Sequence, residues 1–155
     1  MAAPPVAGMS ARQIEVVKST VPVIQHHGLE ISKVFYVLLL EEHPELRRVF
    51  DPVRQANGEQ PLALAVAILA YAGNLDRFES LEPSVQRVAY RHCHFRVSAE
   101  HYPIVGDVLM RSMKSVLGDV AHPEMLDAWS AAYSRLAETM IEMENSLYRS
   151  SSSLM

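Results

Sequence analysis

The last third of the chain carries the pattern that most restricts its fold. From Pro123 onward, Leu126, Trp129, Tyr133, Leu136 and Met140 recur at steps of three and four residues. That period marks one face of an α-helix and excludes a strand, whose faces alternate every second residue. Glu144 and Leu147 continue the same stripe, so a carboxylate stands where the pattern demands burial. A buried carboxylate needs partners supplied by neighbouring elements. The stripe therefore predicts a packed helical domain with a polar group built into its interior.

The rest of the sequence has the same period. Tyr102, Val105, Leu109 and Met113 form a stripe, as do Val85, Val88, His92 and Phe95. Gln60, Leu64, Ala67 and Ile68 share a face, and so do Ser32, Tyr36, Leu39 and Leu40. Punctuation divides these faces into about seven helices with short connections. Ser10 starts a first helix to about Gln25, bent or shortened by Pro22 and broken at Gly28. A second runs from about Leu29 to Glu42, and His43-Pro44 opens a short one closed by Asp51-Pro52. Others run from Glu59 to Ala72, from Pro83 to just before Val97, and from a cap at Ser98 through Tyr102-Pro103. His122-Pro123 opens the last, to about Tyr148. The expected layout is a flexible extension over 1–9, one all-α domain over 10–148 and a flexible tail over 149–155.

Composition narrows the function. With 155 residues, 49% of them apolar, one sizeable core can be buried. The formal net charge is -4 and the basic residues are scattered, which leaves no footprint for nucleic acid or an anionic membrane surface. No apolar run approaches the ~20 residues of a membrane span. The start lacks a secretory pattern, and the single Cys93 cannot form an intrachain disulfide, so a cytoplasmic setting is expected.

Tyr36, Gln60, Tyr102, Glu144 and His92 break the apolar faces, and each has an ordinary explanation. A tyrosine on a helix face is usually core, with its hydroxyl on a carbonyl. Gln60 could be solvated in a first turn, Glu144 could lie at a fraying end, and His92 could be a satisfied core histidine. Rival chemistries fit poorly. His92 and His94 diverge on a helix, as do His26 and His27, and no zinc spacing appears. His92 beside Cys93 diverges too, which disfavours a nucleophile–base pair. No glycine-rich phosphate loop follows a strand.

Taken together, these residues resemble a known family. Glu59-Gln60-Pro61-Leu62-Ala63-Leu64-Ala65 looks like the distal helix of flavohaemoglobins and of bacterial single-domain haemoglobins. Tyr90-Arg91-His92-Cys93 and Glu100-His101-Tyr102-Pro103-Ile104-Val105-Gly106 look like their proximal region. The likeness runs from about Ser10 to Tyr148. It implies a globin fold and one haem b. By that resemblance His92 is the iron ligand, Tyr36 and Gln60 face the gaseous ligand, and Leu64 lies over the iron. Phe50 stacks on the haem, Val105 and Leu109 line its pocket, and Arg91 lies near its propionates. Tyr102 and Glu144 form the pair that hydrogen-bonds with the proximal histidine.

Those roles agree with the chemistry of the side chains. Haem iron takes a neutral imidazole, and a fixed acceptor on the other ring nitrogen sets its basicity. Bound oxygen carries partial negative charge, to which the Tyr36 hydroxyl and Gln60 amide can donate. The resemblance implies oxygen, NO and CO as ligands, with oxygen binding or transport and nitric oxide detoxification as functions. Flavohaemoglobins carry a reductase after the globin. This chain stops soon after its last helix, so turnover as a nitric oxide dioxygenase is expected to need a separate NAD(P)H-dependent reductase. Alternatives are a haem-based gas sensor and a haem-free globin-like interaction module. A homodimer is a further expectation, since relatives are sometimes dimeric.

Overall fold

The computed structural model describes residues 9–49, 67, 70–72 and 99–153. Three long helices carry most of them: α1 (Ala11–Glu42), α2 (His101–Leu117) and α3 (Pro123–Ser153). Pro44–Val49 and Gly118–Val120 are 3₁₀ turns. Residue 67 and residues 70–72 are also helical, and no strand occurs among the described residues.

The start of α1 is fixed by a reciprocal cap. The Ser10 hydroxyl accepts from the Gln13 amide at 3.1 Å, and the Ser10 amide donates to Gln13 Oε1 at 2.9 Å. Two of the donors that a helix start leaves unpaired are thereby satisfied. Beyond it, the expected break at Gly28 does not occur, and one helix of 32 residues replaces the two expected. The reason lies in the register. Ile14, Val17, Val21, Ile24, Gly28, Ile31 and Phe35 follow one another in alternating steps of three and four, and Gly28 is itself buried on that stripe. Interior proline costs a helix about 3 kcal/mol and glycine about 1 kcal/mol. A continuous face burying several aliphatic side chains, each contributing about 1.5–3 kcal/mol, outweighs both.

Two other helix boundaries differ from expectation. α2 opens at His101 with Glu100 as its cap residue and without a side-chain capping bond, while Ser98, the expected cap, lies outside the described residues. Pro103 falls in the first turn, where its missing N–H has no partner to lose. α3 continues past Tyr148 to Ser153, because neither glycine nor proline follows to stop it. At its start, His122 Nδ1 accepts from the Met125 amide at 3.2 Å, the role usually taken by a hydroxyl or carboxylate.

α1 packs on both other helices. Phe35, Leu39, Val17, Val108 and Met125 are fully enclosed in the shared core. Met9, just before the cap, is 3% exposed and joins it. The Trp129 indole N–H donates to Thr20 Oγ1 at 2.8 Å, and Thr20 donates in turn to the Val16 and Val17 carbonyls. This ties α3 to α1 through the one polar atom of a buried indole. Tyr71 OH donates to the Ala132 carbonyl at 2.6 Å and anchors its own helical segment on α3. On the surface, Arg111 grips both Glu42 oxygens, at 2.6 and 2.8 Å, and joins α2 to the end of α1. Among the described residues no helix is long and apolar enough to cross a membrane.

Candidate functional site

The carboxylate on the apolar stripe of α3 is buried as its position demands. Glu144 is 3% exposed, and Tyr102, itself 8% exposed, donates its hydroxyl to Glu144 Oε2. The two residues are far apart in sequence, and the packing of α2 against α3 brings them together. Ala137 and Met140 complete the buried surroundings of Tyr102, with Leu136, Ile141, Met143 and Leu147 partly buried beside them. In such a setting a hydrogen bond to an ionised acceptor is strong, and an unpartnered charge would be costly.

Tyr102 is held a second time. The Tyr133 hydroxyl donates to the Tyr102 backbone carbonyl at 2.7 Å. The Tyr133 ring lies over Gly106, one turn further along α2. A Cβ at that glycine would stand only 2.6 Å from Tyr133 Cε1. Burial, and then the charge of Glu144, hold the proton on Tyr133 well above the ordinary tyrosine range.

Tyr36 lies in the larger core, 5% exposed, with its ring edge-on to Phe35 at a centroid separation of 4.9 Å. Leu109 is buried in the same core and Val105 is packed against it. Tyr133 and Leu136 touch both this core and the smaller cluster around Tyr102. The described residues thus hold one tyrosine in the larger apolar core and a tyrosine–carboxylate pair at the smaller cluster that adjoins it.

The model of the globin family matches residues 33–140. The chain belongs to the globin family. A flavohemoprotein of Deinococcus radiodurans is 44% identical over 140 residues, covering 90% of this chain and 35% of the relative. The chain spans about a third of the length of the curated relatives it matches. Among solved structures, a bacterial globin from Campylobacter jejuni superposes with a TM-score of 0.85 at 36% identity, covering 90% of this chain and 99% of that one. A flavohemoglobin from Malassezia yamatoensis, solved with bound FAD and heme, gives 0.86 at 31% identity, covering 92% and 38%.

In this globin, Tyr102 and Glu144 are the two expected site residues that the structure joins directly. Tyr36 and Leu109 are buried in the larger core, and Val105 packs against it. Phe50, Gln60, Leu64, Arg91 and His92 lie outside the described residues. Among the described residues no cluster of three histidine, cysteine or acidic side chains could hold a metal ion. Two residues were named in the sequence without a role. Tyr133 looked like one more apolar step of its stripe, and only Gly106, one turn after Tyr102, hinted that a ring needed room. His101 entered only as part of the proximal-region likeness, and it is 8% exposed at the start of α2.

His101 gives the fold a pH dependence. Burial lowers its pKa from the ordinary 6.5, Arg48 lowers it further, and Glu100 and Glu45 oppose the shift. The unfolded chain therefore takes up a proton near pH 6.5 that the folded chain refuses, so stability falls as pH drops through this window. Urea unfolding midpoints of the wild type should decline between pH 7.5 and 5.5 more steeply than those of His101→Gln. Parallel declines would show that His101 is not the group responsible.

Proposed function

We propose that this globin binds one haem b and uses it to take up oxygen and related small gases. The observation that carries the reading is the buried Glu144 carboxylate held by Tyr102 on a stripe that is otherwise apolar. A carboxylate enclosed this way suits an imidazole N–H. Its Oε2 accepts the tyrosine's bond, and its second oxygen belongs to the same fixed group. The described residues thus fit the support that a histidine ligand to the group would need.

Haem, when bound, supplies an iron centre that takes oxygen, NO or CO. His92 would give it the protein nitrogen, and Glu144 would hold the proton on the other nitrogen of that ring. This fixes the ring's tautomer and makes it more electron-donating. Tyr36 and Gln60 would donate hydrogen bonds to the ligand, while Phe50, Leu64, Val105 and Leu109 keep water away. Arg91 would meet the propionates. With one cysteine, the chain cannot form the paired-cysteine attachment of a c-type haem, which is consistent with non-covalent haem b.

An electron-rich proximal histidine favours oxidative chemistry over simple carriage, which brings nitric oxide dioxygenation into the reading. An engineered carbene transferase derived from a candidate nitric oxide dioxygenase of Rhodothermus marinus has the same fold, with a TM-score of 0.87 at 33% identity. Repeated turnover would need electrons from an NAD(P)H-dependent reductase. The test is an absorption spectrum of the purified protein with haem added, in the ferric, reduced and CO-bound states. We expect a Soret band that shifts on reduction and again on CO binding. A helical protein with no such band would overturn the reading. Sustained nitrate formation from NO with a reductase present would establish the enzyme, and its absence would leave the oxygen-binding protein.

A further inference from the structure

Among the described residues, the buried side-chain oxygen left without a hydrogen-bond partner is Ser32 Oγ, on α1. Ser32 is fully enclosed in the protein. A hydroxyl in a helix ordinarily has an acceptor at hand, the carbonyl one turn back. Other hydroxyls here use it. Ser112, as fully enclosed as Ser32, donates to the Val108 carbonyl at 2.8 Å. Thr20 and Thr139 donate to the Val16 and Arg135 carbonyls in the same way. Ser32 does not, so its oxygen is turned away from the carbonyls of its own helix and into the interior. A hydroxyl left unpaired there costs the fold its full desolvation, and a small hydrogen-bonding guest would remove that cost.

The neighbours on α1 define the guest. Gly28, Ser32 and Tyr36 follow one another at steps of four, so they form one column, and all three are buried. Gly28 has no side chain to cover its carbonyl, which points along the helix toward Ser32 and keeps a second lone pair. An aromatic side chain on a helix leans back over the residue four before it, which carries the Tyr36 ring along the turn of Ser32. The Tyr36 hydroxyl oxygen can accept a hydrogen bond while its proton is donated elsewhere. Ile31, Phe35 and Leu39 in the same core are apolar and almost wholly enclosed. An ion would be too costly in these surroundings, and a neutral molecule that both donates and accepts would suit them. Water has that chemistry, and a hydroxyl, a carbonyl and a phenol meet its need for two to four polar partners.

We infer that Ser32 anchors a buried water on the inner face of α1, and that this water donates a hydrogen bond to the Tyr36 hydroxyl. The anchoring stands on the packing alone. Its consequence for gas binding rests on the haem reading above. Hydrogen bonds in a chain polarise one another, so a hydroxyl that accepts from water becomes a better donor. The water thereby strengthens the bond that Tyr36 gives to oxygen without touching the ligand. Ser32 is a positioning residue that acts on Tyr36 through the water.

Oxygen-17 relaxation dispersion, which counts buried waters in solution, tests the site on the haem-loaded, CO-bound protein. Ser32→Ala should lose the signal of a single water. Urea unfolding gives a second reading, with Ser112→Ala as its reference, because Ser112 is equally enclosed in a helix and its hydroxyl is paired. With a water at Ser32, both substitutions remove a satisfied hydroxyl and should lower the midpoint by similar amounts. With an orphaned hydroxyl, Ser32→Ala would relieve its desolvation and raise the midpoint. Oxygen should leave Ser32→Ala about 2- to 5-fold faster, the size expected when a chained bond is lost behind the donor, and CO should leave at the wild-type rate. In the Tyr36→Phe background the same substitution should change neither rate, since no hydroxyl remains there for the water to polarise.

An unchanged dispersion or a raised midpoint in Ser32→Ala overturns the water site. A water lost with no change in oxygen release overturns its action on Tyr36. An equal change for CO, or in the Tyr36→Phe background, overturns that action too, since packing alone would then account for the effect. If the wild type takes up no haem, the proposed function fails on its own. Dispersion and urea unfolding of the haem-free protein then decide whether Ser32 holds the water.

Discussion

Cutting His92 back to alanine is expected to abolish stable haem retention, and millimolar imidazole is expected to restore it. Removing a group that only supports a ligand typically lowers affinity by about 10–100-fold. Removing the ligand itself should exceed that range, so the Soret band of His92→Ala should fade on gel filtration while the wild type keeps it. The rescue is the more informative half. On this reading truncation would open a space of imidazole size beside Glu144, the buried acceptor that Tyr102 holds. A free imidazole entering that space regains both the metal bond and a hydrogen bond at its far nitrogen. In His92→Ala with Glu144→Gln the rescue should need more imidazole, because a neutral amide accepts more weakly than a carboxylate. Equal rescue with and without the Glu144 change would separate Glu144 from the proximal histidine. Haem retained by His92→Ala without imidazole would remove His92 from its assigned role.

How much of this could be read from the sequence differed from feature to feature. The stripe on α3 predicted both the helix and the odd position of Glu144, because burial period and residue chemistry are both local facts. The pairing of Glu144 with Tyr102 did not follow from spacing. It came from a resemblance, and the packing of α2 on α3 now accounts for it. The break expected at Gly28 went the other way. Residue type was read there as punctuation, while the register of Ile24, Gly28, Ile31 and Phe35 ran through it unbroken. A glycine in phase with a buried stripe marks close packing more often than a helix end. The start of α2 was hard to read for a related reason. Glu100 makes no side-chain capping bond, so it matches no usual residue preference, whereas His122-Pro123 marked the start of α3 although His122 caps with a ring nitrogen. Tyr133 could not be recognised because its role rests on a main-chain acceptor and on the absence of a side chain at Gly106, neither of which leaves a motif.

Replacing Tyr36 by phenylalanine is expected to speed oxygen dissociation by about 5- to 150-fold, with the fold unchanged. The lower figure corresponds to about 1 kcal/mol and the upper to about 3 kcal/mol, the range for a hydrogen bond to a charged acceptor. The substitution suits the position because the ring is what packs there. Tyr36 is 5% exposed and its edge-on contact with Phe35 involves the ring and not the hydroxyl. The apolar core that the ring shares with Leu109 and Val105 should therefore survive. CO, which carries less negative charge when bound, should leave Tyr36→Phe at nearly the wild-type rate. That contrast separates a hydrogen-bonding role from a steric one. If both gases left faster by the same factor, the ring's placement and not its hydroxyl would govern escape. If neither rate changed, Tyr36 would not face the ligand, and Gln60→Ala would become the next variant to measure. A large effect confined to oxygen would place the charge-sensitive donor on α1, across the core from the Tyr102–Glu144 pair. Ligand retention and proximal electron donation would then rest on separate helices, and substitutions on the two sides should act additively on the free energy of oxygen binding.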